Sequence, residues 1–187
     1  KPLSMGADEL VLLQDDAFDD LDSYATATVL SAAIKKVGVF DLVLAGRQAS
    51  DWDNAQVPLI LAEMLNAACV TVAQAVTVSG GVAKVERVLP SGYEEMEADL
   101  PAVVTVSNEL GEPRYPTLRG IMAAGKKAPT YLTPSDIGLD ADRLAPRLTL
   151  EDLYVPEAGR RCEFIEGDGE ADSGRLLALK LREDGLI

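Results

Sequence analysis

The chain has 187 residues, 48% hydrophobic and 26% charged, with 31 acidic against 17 basic side chains, a formal charge of −14 and no histidine. That length suffices for a globular domain with its own core, and the lack of histidine excludes a Ser-His-Asp triad, a His-ligated zinc and a His general base. The acidic balance argues against nucleic acid as a partner, because the clearest basic cluster, at Lys126 and Lys127, is too small to track a phosphate backbone.

In chain order, "DELVLLQ" (8–14) is a compact apolar run and predicts a buried strand. The acidic loop "DDAFDDLD" leads into a helix with apolar spacing at Ala25, Val29, Ala32 and Ala33, Ser23 as its N-cap and Gly38 as its stop. "DLVLAG" (41–46) predicts a second strand, and "AQVPLILAEMLNA" a second helix. Pro58 is tolerated in its first turn, where an N–H has no helical partner anyway. Strand, helix, strand, helix with strands apolar on both faces predicts an α/β fold, a parallel sheet covered by helices. The valine-rich segment from Cys69 to Ser107 then alternates with period two, with turns at Gly80-Gly81 and Pro90-Ser91-Gly92. It predicts an antiparallel hairpin excursion followed by a buried strand at 101–107. A short helix is expected within 112–129. From about Tyr131 the periodic signal fades, and apart from a helix near Ala171–Glu183 the chain reads as an arm lying on something else. The expected division is a domain at 1–138 and an arm at 139–187.

Cys69 and Cys162 match no metal or redox spacing and read as free thiols. No apolar run reaches the ~18 residues of a membrane span and no basic-then-apolar leader stands at the start, so the expectation is a soluble, cytoplasmic protein without stable membrane insertion.

The loop "GRQASDWDNAQ" (46–56) joins the second strand to the second helix. Asp51 and Asp53, with the acidic residues 15–22, could collect a divalent metal, although an acidic solvated loop needs none. The pair could do acid–base work, but no nucleophile accompanies it. A nucleotide phosphate fits better, because ligands of open α/β sheets bind beyond the carboxyl ends of the strands. Gly46, Ala49 and Ala55 allow close backbone approach, and a helix N-terminus favours an anion. Asp51 and Asp53 would then brace the loop from inside. An ordinary loop with no ligand remains the bland alternative.

These residues resemble the β subunits of electron transfer flavoproteins, the FixA-type family. "GRQASDWDNAQV" is similar to that family's G-[KR]-Q-A-x-D-x-D-x-x-Q loop, "VERVLPSGYEEMEADLPAVVTVS" to its V-x-R…LPAVVT signature, and "NELGEPRYPTLRGIMAAGKKAP" to its N-x-P-R-Y-x-[ST]-L-x-x-I-M segment. The resemblance covers about Met5 to Ile137. It implies a fold like the adenine-nucleotide α-hydrolases and an electron carrier subunit with no catalytic residue and no metal. It further implies pairing with an α subunit that holds most of the FAD, and AMP (or a second FAD) bound in the β subunit. The positions carried over for that nucleotide are Gly46, Gln48, Asp51, Asp53, Asn54, Ala55, Gln56 and Val57. Val57 stands where AMP-type members often have threonine. A docking loop for flavin-dependent dehydrogenases is implied at Tyr115, Pro116, Thr117, Leu118, Ile121 and Met122, with Leu118 as its anchor; read without the family, Leu118 would be a core residue. Val88 and the Pro90-Ser91-Gly92 turn depart from the family's acidic residue and D-G-G turn, which bears on the redox partner. Family members carry a further strand and helix ahead of "MGADE", so the resemblance implies a fragment or a half-built nucleotide site, the fragment being favoured. The alternative function is a stand-alone adenine-nucleotide-binding module of the same fold, which would call for a glycine-rich phosphate loop not found here; a metal-dependent hydrolase acting through Asp51 and Asp53 is the third.

Overall fold

The computed structural model describes residues 1–156 and 162–187; residues 157–161, within the expected arm, lie outside the described residues. The chain divides into two compact units, Lys1–Thr149 and Leu150–Ile187.

The first unit runs β1 (Val11–Leu13), α1 (Ser23–Val37), β2 (Leu42–Gly46), α2 (Val57–Leu65), β3 (Ala68–Ser79), β4 (Val82–Leu89), β5 (Gly92–Asp99), β6 (Ala102–Val106), α3 (Leu118–Ala124), β7 (Thr130–Leu132) and α4 (Ala141–Leu144). Five strands form one mixed sheet in the order β2-β6-β3-β4-β5. β6 pairs in parallel with β2 and β3, while β3-β4-β5 is an antiparallel meander. The α/β class and the hairpin excursion are therefore as expected.

The single parallel sheet is not. β1 pairs with β7 in a separate two-stranded parallel sheet. Its partner is only the three residues Thr130–Leu132, too short a strand to show a period.

β6 reads "AVVTV" and is closed on both faces: Ala102, Val103 and Val104 are fully buried and Thr105 is 2% exposed. A continuous apolar run is what a strand flanked by two parallel neighbours requires. One core cluster gathers on the sheet around Val70, Val85 and Val104. The meander ends on the edge strand β5, whose cross-strand ion pairs Lys84–Glu97 and Arg87–Glu94 add little stability but discourage edge-to-edge pairing.

α1 ends at Gly38 as predicted, but its N-cap is Asp22, not Ser23. The Asp22 Oδ1 accepts the Ala25 N–H at 2.7 Å, so Ser23 becomes the first helical residue. The other oxygen, Oδ2, accepts the N–H groups of Arg147 and Leu148 at 2.6 and 2.9 Å. One carboxylate thus caps a helix and pins a segment 125 residues away. The Arg147 guanidinium lies 3.3 Å over the Tyr24 ring in the same turn, a cation–π contact that tightens the joint.

Beyond Tyr131 the faded periodicity does not mean a missing core. Leu132, Leu139 and Leu144 are buried, and the last two form a second core cluster with Val29 of α1. The expected arm from residue 139 therefore begins inside the first unit. These apolar residues are isolated among prolines, glycines and charges, so they carry no helical or strand spacing. They are core through long-range packing.

Among the described residues of the second unit the one regular element is α5 (Glu170–Glu183), close to the range expected. No described residue of this unit is buried, and Leu153, Tyr154, Val155 and Phe164 are strongly exposed. Cys69 and Cys162 are free thiols. Among the described residues no helix is long and apolar enough to cross a membrane.

Candidate functional site

β2, β6 and β3 run in one direction, with Gly46 and Val106 level at the carboxyl ends of β2 and β6, and Ala73, where β3 leaves its pairing with β6, level with both. The 47–56 loop leaves from this end, and its first residue is tied to the sheet by the Arg47 N–H donating to the Val106 carbonyl at 3.1 Å. The Asp53 N–H donates to the Ala49 carbonyl at 2.9 Å, and the Gln48 amide donates to Asp53 Oδ1 at 2.6 Å. Asp51 Oδ1 accepts the Trp52 N–H at 3.0 Å. Both carboxylates thus serve the loop's own shape. Asp53 and Ala55 sit in the left-handed region at φ 50 and 51, which aspartate accepts readily and alanine does not. Among the described residues, no three or more acidic or thiol side chains gather as a metal site.

Gly46, Gln48, Asp51, Asp53, Asn54 and Gln56 are exposed, Ala55 and Val57 half-buried. A side chain added at Gly46 would meet no protein atom within 4 Å, so nothing inside the fold requires glycine there. α2 opens at Val57 with Pro58 in its first turn, and Gln56 supplies no side-chain cap. The loop therefore leads into a helix start without a side-chain cap, and it leaves open space at Gly46.

A second cluster lies on α3. Thr117 caps the helix by accepting the Gly120 N–H at 3.0 Å. Leu118, Ile121 and Met122 share one face by their spacing and are 77%, 53% and 65% exposed, with Tyr115 at 91%; Pro116 is half-buried. Leu118 is thus no core residue. Four large apolar side chains turned to solvent within one short segment form a patch of the kind that marks an interaction surface. The opposite side of α3 packs on the N-terminal 3₁₀ turn Pro2–Met5. There a Cβ at Gly120 would lie 2.5 Å from the Ser4 carbonyl oxygen, and the Lys127 ammonium donates to the carbonyls of Ala7 and Asp8, each at 2.8 Å. Gly120→Ala is expected to lower stability by about 1–3 kcal/mol, because backbone must move to admit the methyl. Equilibrium denaturation checks this; a change under about 0.5 kcal/mol would show α3 free to slide.

Two residues carry roles that the sequence does not signal. Asp22 is readable as a cap of α1 but not as the acceptor for Arg147 and Leu148, and Thr105 reads as one more β-branched core residue. On β4, Arg87 pairs with Glu94 at 2.7 Å, and Val88 is level with Tyr93 of β5.

Comparison with known proteins agrees with these elements. The electron transfer flavoprotein domain family matches residues 1–137. The chain is 39% identical over 189 residues to the caffeyl-CoA reductase-Etf complex subunit CarD of Acetobacterium woodii, covering 99% of this chain and 72% of that protein. It is 42% identical over 191 residues to the electron transfer flavoprotein subunit beta of Clostridium acetobutylicum, with the same coverage. Against the corresponding subunit of Thermoanaerobacterium thermosaccharolyticum it is 46% identical over 143 residues, 76% of this chain but 55% of the relative. The chain thus spans between about half and three quarters of the length of these relatives. It belongs to the electron transfer flavoprotein family, among its β subunits.

Proposed function

We propose that the chain acts as the β subunit of a heterodimeric electron transfer flavoprotein, carrying electrons between flavin-dependent dehydrogenases and an acceptor through an FAD held mainly by the α subunit. On this reading no side chain of the chain is catalytic. The first unit has the adenine-nucleotide α-hydrolase type of fold, and its nucleotide, AMP or a second FAD, is structural. The observation that carries the reading is the 46–57 loop at the carboxyl end of the parallel strands, braced from within by Asp51 and Asp53. The residues there fit a phosphate. There is open space at Gly46, and at the start of α2 the Val57 N–H is the donor left for an anion, since Pro58 has none and Leu59 donates to the Gln56 carbonyl at 3.1 Å. The exposed apolar face at Leu118, Ile121 and Met122, with Tyr115, is the docking site for dehydrogenases, an apolar anchor in a polar surround. The second unit, whose described residues are nowhere buried, gains its packing on the α subunit.

Nucleotide analysis tests this reading. The complex with the α subunit is denatured and the released nucleotides are counted. One FAD and one AMP per complex is the expected result, and two FAD would make the β-site ligand a flavin. Release of FAD alone would remove the nucleotide role of the 46–57 loop.

A further inference from the structure

β3 carries an irregularity that the alternation of its sequence conceals. Val70 is level with Val104 of β6 and Ala73 with Val106, so β3 places Thr71 and Val72 opposite the single residue Thr105. Val72 takes up the extra length at φ 59, a true outlier for a β-branched side chain. Its N–H is taken by the Thr105 hydroxyl oxygen at 2.7 Å. Thr105 is 2% exposed and Val72 half-buried, and the hydroxyl is the acceptor the fold supplies for this N–H. On the other side of β3 a further residue, Gln74, is extra relative to β4, and its amide donates to Glu86 at 3.0 Å. The strand leaves the parallel part of the sheet through this joint.

The joint's position gives it a consequence. Ala73, the residue after the bulge, is level with Val106, and Val106 is level with Gly46. The same Val106 carbonyl accepts the Arg47 N–H from which the loop is hung. We infer that Thr105 is a positioning residue for the nucleotide loop: its hydroxyl locks the left-handed bulge at Val72, which holds Val106 in line and so sets where the 47–56 loop departs. Valine would fill the same volume in a strand that already has Val103 and Val104. Of the two side chains only threonine's hydroxyl can accept the displaced N–H, and a partly buried N–H without an acceptor is costly. Deprived of it, β3 relaxes by slipping on β6, and the Val106 carbonyl moves with it.

This inference rests on the nucleotide reading for its purpose, and the test separates the two. Trp52 is the one tryptophan of the chain and lies in the loop, so fluorotryptophan at that position reports loop geometry by its fluorine NMR resonance. The same samples are titrated with AMP in the complex with the α subunit. Thr105→Val is expected to shift the Trp52 resonance and weaken AMP by about tenfold or more, whereas Thr105→Ser, which keeps the acceptor, stays within about threefold of wild type. If Thr105→Val does not fold, Val72→Gly is added to relieve the left-handed strain, and the double variant is expected to fold with the resonance still shifted. A Thr105→Val or double variant with wild-type resonance and wild-type affinity overturns the inference. Failure of the wild-type complex to bind AMP counts against an AMP site alone; the resonance still decides whether Thr105 positions the loop.

Discussion

Replacing Asp22 with alanine is expected to destabilise the first unit by about 2–4 kcal/mol, a large effect for a side chain that is only half-buried. A lost N-cap costs ~1 kcal/mol, and hydrogen bonds to a charged acceptor contribute ~1.5–3 kcal/mol each where water cannot replace them, reduced here because Arg147 and Leu148 are exposed. The carboxylate joins the start of α1 to residues 147 and 148, so its removal also loosens the segment that brings Leu139 and Leu144 onto Val29. Asp22→Asn keeps an acceptor but loses the charge, and falls between. Burial alone would raise this carboxyl's pKa; hydrogen bonds from the N–H groups of Ala25, Arg147, Leu148 and Tyr24 outweigh that and hold it below its ordinary value of 3.8. A group depressed on folding stabilises above its unfolded pKa and loses that contribution as pH falls through the folded one. The gap between wild type and Asp22→Asn is therefore constant near neutrality and closes below about pH 4. Urea denaturation across pH measures it, and a gap that widened on acidification would contradict the assignment.

The second large effect is on electron transfer. Leu118→Ala is expected to lower kcat/KM for reduction by the docking dehydrogenase by about 10- to 100-fold, the range of an interface hot spot truncated to alanine. Leu118 is 77% exposed, so stability should change by less than about 0.5 kcal/mol. The loss should fall mainly on KM, because the side chain anchors the partner and takes no part in the chemistry. A variant that lost activity together with stability would mark Leu118 as structural. Unchanged kinetics would move the docking surface elsewhere.

Much of the fold was legible because its signals are local. The Gly80-Gly81 turn, the stop at Gly38 and Pro58 in the first turn of α2 each follow from what one or two residues permit. Of the spacing expected in α1, Ala25, Val29 and Ala33 are buried and Ala32 is half-buried. Ala27 and Ser31 are buried as well, because the helix has two buried stripes, which a single-stripe reading undercounts. What stayed hidden depends on distant partners. Asp22 as a cap is readable, but its grip on residues 147 and 148 is not. Leu139 and Leu144 lack a period, and β1 with β7 is a pairing across more than a hundred residues. Of the candidate site, the loop's location and the bracing role of its two carboxylates followed from chemistry. The functional assignment came from motif resemblance, since exposure of Leu118 runs against its residue type. The Val72 bulge had no signal at all, because a valine in a valine-rich strand announces regular pairing.

Association with an α subunit is the central claim, and it is tested most directly by co-expressing the two chains and measuring mass and absorption spectrum at micromolar concentration. A one-to-one complex with the yellow spectrum of bound flavin is the predicted result. A colourless chain that elutes alone beside a folded α subunit would contradict it.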